Sequence, residues 1–222
     1  MKSLRNNAKR RRQREAGFSL LEVMTVLAIS IVVSVVSVVS LIPVMSQYRL
    51  TNAYNTTLAA MRQARDNAVS QRTSYSVTFS NSVTPNTITV APTLTGFQGS
   101  QAAVIYKLPT DVSFYAASTI ASVSPTPDGY GAGSTAIDFG YTANGVGTGG
   151  QSTIYFCPDG SAQDAENGAG NCAGSWDGGV VYIARSSDLL SSRAISLWGA
   201  TGRMRGWRLY PNGSSNYLWV RQ

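Results

Sequence analysis

From Val23 to Tyr48 the chain carries no formal charge, and Val, Ile, Leu, Ser and Ala fill almost all of those 26 positions. Wound as a helix, they reach roughly 39 Å, more than the roughly 30 Å of hydrocarbon in a bilayer. The pattern predicts a membrane-crossing helix. From residue 46 the apolar positions become periodic. Leu50, Tyr54, Leu58, Met61, Arg65 and Ala68 recur mostly at three- and four-residue steps, so Ala53, Leu58, Met61, Ala64 and Ala68 can share one buried face. One helix is expected from near Phe18 to about Gln71, apolar over 18–48 and amphipathic over 49–72. Ser30, Ser34, Ser37 and Ser40 form a small polar stripe at helical spacing, either tolerated serine or a close-packing line against another helix. Pro43 should soften or kink the helix where it leaves the apolar run.

After Arg72 the period drops to two. Residues 74–79, 87–91, 104–108, 112–115, 136–139, 153–157, 180–184 and 194–198 read as strands, separated by Pro, Gly, Asn and Ser. Residues 118–134, 143–150 and 161–178 read as loops, the last a Gly-rich excursion entered through the turn Pro158-Asp159-Gly160. Residues 207–210 and 217–220 alternate like a closing hairpin around Pro211-Asn212-Gly213, where Asn-Gly is a strong turn signal. The β-rich domain is expected to occupy 73–222, and its length suffices for one core.

Charge sharpens the topology. Lys2, Arg5, Lys9, Arg10, Arg11, Arg12 and Arg14 against Glu15 give residues 1–17 a balance of +6 out of the +7 of the whole chain. Such a cluster could address nucleic acid or a nucleus. Beside a membrane span, the positive-inside rule accounts for it better and keeps this end cytoplasmic. Between the basic stretch and the apolar run lies Gly17-Phe18-Ser19-Leu20-Leu21-Glu22-Val23. A cleaved secretory signal has a shorter core and a small-x-small site. A plain signal anchor explains neither Gly-Phe nor a carboxylate at Glu22, where burial without a partner costs about 2.5–3.5 kcal/mol.

This heptapeptide resembles the processing site of type IV prepilins and type II secretion pseudopilins. The resemblance implies that a membrane-embedded prepilin peptidase cuts after Gly17, removes 1–17 and methylates the new amino group of Phe18. Glu22 then pairs with the N-terminal amine of a neighbouring subunit and sets register, as a buried carboxylate requires. Two further stretches narrow the likeness. Ala64-Arg65-Asp66-Asn67-Ala68-Val69-Ser70-Gln71-Arg72 with Val77-Thr78-Phe79 is similar to the helix exit of GspH/FimT-type minor pilins, although Asp66 replaces part of the usual Ser-Glu pair. The order Ile154-Tyr155-Phe156-Cys157-Pro158-Asp159-Gly160, 180–184, 193–197 and Thr201-Gly202-Arg203-Met204-Arg205 is similar to their C-terminal half. The implied fold is α+β, a long N-terminal helix packed on an antiparallel β-sandwich or β-sheet. The implied protein is a minor pilin of a filament tip or priming complex. Its partners would be other pilins or pseudopilins, and it would sit in the inner membrane with its C-terminal domain periplasmic before joining a pilus at the cell surface. An H-type pseudopilin of type II secretion and a DNA-capturing competence pilin are the alternatives.

Candidate chemistry is sparse. The chain has no histidine, which removes the commonest general base, the Ser-His nucleophile pair and most catalytic zinc sites, and no nucleophile motif replaces them. No enzymatic activity, cofactor or metal is expected. Asp159, Asp164 and Glu166 do not follow the spacing of a calcium loop. Cys157 and Cys172 are the whole thiol inventory, and in an exported domain an even count predicts a disulfide. From Arg185 to the end there are six arginines and one acid, Asp188. Gly202-Arg203-Met204-Arg205 resembles the Gly-Arg-x-Arg motif implicated in DNA binding by FimT-like pilins. Arg203 and Arg205, on one side of an extended segment, and Arg208 are therefore candidates for contacting double-stranded DNA.

Overall fold

The computed structural model describes residues 18–94, 102–142, 147–167, 169–186, 188–213 and 216–222. The basic leader and Gly17 lie outside the described residues. Contacts divide the chain between Val44 and Met45.

One helix, α1, runs over Leu20–Gln71, 52 residues. Ser19 precedes it and Glu22 stands in its first turn, the residue types of a capping box, with the carboxylate at the positive end of the helix dipole. The Ser19 carbonyl accepts the N–H groups of Glu22 and Val23 at 3.0 and 3.1 Å. Up to Val44 none of its described side chains is buried, and the helix is long and apolar enough to cross a membrane. The hydroxyls of the serine stripe turn inward on their own helix. Ser30, Ser34, Ser37 and Ser40 donate to carbonyls three or four residues earlier at 2.7–2.9 Å, which satisfies them without a partner helix. The helix continues through Pro43 without a break.

From Met45 onward the same helix belongs to a second compact unit. Leu50, Ala53, Tyr54, Thr57, Ala60, Met61, Ala64 and Ala68 are its buried face. Leu58, expected inside, is only partly buried and packs at the margin of the core. Four of the eight buried positions are alanine, so the helix axis can approach its neighbours closely.

Twelve strands follow among the described residues: β1 Tyr75–Ser80, β2 Thr87–Pro92, β3 Val104–Lys107, β4 Ser113–Phe114, β5 Ile137–Tyr141, β6 Gly147–Gln151, β7 Thr153–Phe156, β8 Ala162–Gln163, β9 Gly178–Arg185, β10 Asp188–Trp198, β11 Arg203–Pro211 and β12 Tyr217–Arg221. Among the described residues they form two antiparallel sheets. The first has the order β3-β2-β1-β7-β8. The second has the order β12-β11-β10-β9-β5-β6, with β4 paired to β9. One buried cluster draws on α1 and on both sheets, with Phe79 stacked on Phe139 at 5.4 Å and edge-on to Phe114 at 5.5 Å. A second cluster, including Tyr130, Tyr182, Leu209 and Trp219, involves the larger sheet and the segment 118–134, which contains short 3-10 turns at Ser118–Ser122 and Pro127–Gly129.

Two loop expectations fail. Residues 147–150 belong to β6, and 143–146 lie outside the described residues. Glycine is a poor strand former, but here it is what allows approach. A Cβ on Gly147 would lie 2.0 Å from the Gly140 carbonyl oxygen, and β5 is irregular at Gly140, whose φ is +111°. The excursion 161–178 is also ordered by pairing: β8 lies on β7, and isolated bridges join Gln163 to Trp176 and Glu166 to Cys172. Cys157 and Cys172 form the disulfide expected of them, with Cα atoms 5.8 Å apart.

Candidate functional site

The C-terminal basic segment is built at the turn from β10 into β11. A 3-10 turn over Gly199–Thr201 is closed by Gly202, whose φ of +58° favours glycine. Space demands it as well, because a Cβ there would lie 2.1 Å from the Gly160 carbonyl oxygen and 2.8 Å from Arg65 Nε. Arg65 of α1 crosses this point and donates from Nε to the Gly160 carbonyl at 3.1 Å and from a terminal nitrogen to the Thr201 carbonyl at 3.3 Å. It therefore fastens the helix to two turns of the β-domain.

The three candidate arginines meet different fates. Arg205 forms an ion pair with Asp128, whose side chain is only 4% exposed, and its guanidinium lies 5.8 Å from the Trp198 ring. The same Asp128 accepts from the Ser196 hydroxyl, which in turn accepts from Trp207 Nε1 at 2.9 Å. This network pins the 118–134 segment to the sheet. Arg208 falls on the opposite parity of β11 and stands directly across from Arg193. Its guanidinium sits 5.1 Å from the Tyr210 ring. Arg193 is held by Thr51 and Gln222 at 3.3 Å and lies over Tyr54. Burial first, then Arg208, lowers the Arg193 pKa. Only Arg203 is exposed, and it borders a cleft of about 260 Å³ together with Arg62, Arg65, Asp66, Thr201, Gly202 and Met204. The set Arg203, Arg205 and Arg208 is thus not one surface. The cations that join Arg203 are Arg62 and Arg65, both from α1, which no strand pattern could pair with it.

A buried polar cluster escaped the sequence reading. Asp138 accepts from Tyr141 at 3.0 Å and from the Gly150 N–H at 2.8 Å, and Asp177 accepts the Gly140 N–H at 2.6 Å. The Asp177 Oδ2 is buried without a partner, and burial raises this carboxyl to about 6. Burial followed by neighbouring aspartates pushes Tyr130 and Tyr141 up to about 12. Among the described residues no group of three His, Cys, Asp or Glu could hold a metal ion.

At the other end of the chain, Phe18 is 81% exposed, and one shallow apolar pocket is lined by Phe18, Glu22, Val23, Val26 and Leu27. Phe18 lies two residues before the start of α1 and Glu22 in its first turn, and both border this pocket. Comparison with known proteins gives no matching family model, no matching curated protein and no matching solved structure.

Proposed function

We propose that the chain is a minor pilin, a structural subunit that enters a membrane-anchored filament through its N-terminal helix and displays its β-domain as a β-sandwich-like head. The observation that carries this reading is α1 itself. One uninterrupted helix has a first half with no buried side chain and a second half that forms the spine of a folded domain. A bare apolar helix needs an apolar environment, which a bilayer supplies before assembly and neighbouring helices supply after it. Glu22 fits the same scheme. In a dry helix bundle it requires a cation, and cleavage after Gly17 would create one on Phe18 of the adjacent subunit. A secretion pseudopilus would use the same parts. Nothing in this scheme calls for catalysis.

The test is co-expression of the full chain with a prepilin peptidase, followed by mass spectrometry of its N-terminus. The reading expects a chain beginning at Phe18 and carrying one methyl group. It also expects that Glu22→Ala is processed normally but stays out of sheared filaments. An unprocessed chain, or cleavage at another bond, overturns it.

The cleft between Arg62 and Arg203 favours a second reading, contact with double-stranded DNA. Three guanidinium groups from two elements, Arg62 and Arg65 of α1 and Arg203 of β11, line it against one carboxylate, Asp66, and Arg65 is already bonded to two carbonyls. Full-length protein in detergent micelles, titrated into labelled duplex over a range of salt, should bind with a salt slope that falls by about one for each phosphate contact removed in Arg62→Gln and Arg203→Gln. Unchanged slopes remove this reading and leave the first intact.

A further inference from the structure

We infer that the outward face of the β3-β2-β1-β7-β8 sheet binds a neutral, extended polysaccharide. Strand alternation turns the large aliphatic and phenylalanine side chains of β1, β2 and β7 into the core and leaves Ser76, Thr78, Thr87, Thr89, Thr153 and Tyr155, with the small Ala91, on the other side, each partly exposed. Register aligns them. Thr89, Thr78 and Thr153 are direct neighbours across three strands, and Ser76 stands beside Tyr155. The hydroxyl oxygens of Thr78 and Thr153 are 3.0 Å apart.

The row through Tyr155 continues onto Gln163 of β8 and from there by an antiparallel bridge to Trp176. Residues directly opposite across such a ladder share a face. Trp176 therefore joins this surface, and it is 52% exposed, an unusual position for so large an apolar ring. With two strand spacings between them, Tyr155 and Trp176 stand about 10 Å apart, the reach of two pyranose rings in an extended chain.

Charge decides the class of partner. None of these positions is ionised, and among the described residues the formal charge in register with them is Lys107, on the outermost strand β3 opposite Thr87. A nucleic acid or acidic polymer would find nothing to neutralise it. Ser76 donates to the Ala91 carbonyl and Thr78 pairs with Thr153, but a lipid or apolar protein surface would still strip water from the acceptor sites that these hydroxyl oxygens keep free and put nothing in its place. A neutral glycan offers both kinds of contact: hydroxyls for the Thr and Ser grid, and C–H faces to lie on the two rings.

The experiment uses full-length protein in detergent micelles, mixed with insoluble cellulose and chitin and titrated with cellohexaose and chitohexaose while tryptophan emission is followed. Retention on at least one solid is expected, with a saturable emission change and about ten-fold weaker binding for Trp176→Ala. Because Trp176 is exposed, that variant should keep the fold, which circular dichroism checks. Thr78→Lys/Thr89→Lys, which places charge amid the hydroxyls, should also lose binding, while Arg203→Gln should bind like the wild type. No retention and no emission change with any of the four probes overturns the inference, as does Trp176→Ala binding like the wild type.

Discussion

Residues 20–44 and 45–71 belong to the same helix, yet they answer to different surroundings. In the first stretch Val32, Val36 and Val39 are 63–65% exposed, whereas in the second Ala53, Met61, Ala64 and Ala68 are 0% exposed. Backbone propensity cannot distinguish them, since both are unbroken α-helix. The difference lies in side-chain arrangement. The first stretch is apolar on every side and keeps its few hydroxyls bonded to its own carbonyls. The second concentrates small residues on one face, where two sheets close over it, and puts Arg62, Gln63 and Asp66 on the other. One secondary structure thus serves two roles, and substitutions of the same kind should separate them.

The largest contrast is expected from truncation. Met61→Ala should destabilise the folded unit by about 3 kcal/mol through lost burial and a residual cavity, while Val35→Ala should leave its unfolding midpoint unchanged. Denaturant unfolding of the full chain in micelles measures both, and equal effects would break the division of labour. Replacing Cys157 and Cys172 by serine should cost a comparable amount, about 3 kcal/mol, because the bridge closes a loop of 15 residues in sequence separation. That loss should fall on the β-unit and spare residues 20–44, as hydrogen exchange can show.

The arginines of the C-terminal segment extend the comparison. Arg205→Gln leaves Asp128 buried without its cation and should destabilise by about 2 kcal/mol, whereas Arg203→Gln, on the exposed cleft edge, should stay within about 0.5 kcal/mol. Thermal unfolding separates them, and equal losses would refute the assignment of one arginine to structure and the other to surface.

The smallest effect concerns Asp177. Its folded pKa of about 6 lies above its unfolded value, so its contribution is fully present below about pH 4 and is lost as pH rises toward and through 6. Asp177→Asn should remove that part of the pH dependence and raise the melting temperature slightly at pH 7. An unchanged difference between pH 4 and pH 7 would show that the carboxyl is not held protonated.

Much of this was legible in one dimension. Helix limits near 18 and 71 follow from charge-free length and then from three- and four-residue periodicity. Eight strand cores follow from period two, and the last hairpin from Asn212-Gly213. Glycine-rich stretches were misread because propensity describes an isolated backbone. Residues 147–150 gain their order from the ladder with β5, where a missing Cβ permits pairing instead of preventing it, and the excursion after Ser161 gains its order from β7 and from two bridges within itself. Sites fared worse for a related reason. Alternation correctly put Arg203 and Arg205 on one parity, but it carries no information about what faces them.

The sequence by itself determined the apolar half of the helix, the order of helix and strands, and the pair of cysteines. Those features depend on composition and short-range spacing, which local sterics and hydrophobicity convert directly into structure. Tertiary structure alone decided which of the three candidate arginines is exposed. Asp128 lies 77 positions from Arg205, and the carbonyls that hold Arg65 lie 95 and 136 positions away. Only folding brings such groups within hydrogen-bonding distance. It likewise carried Trp176 onto the row of Tyr155, because the face a side chain occupies is fixed by the register of the ladder it joins.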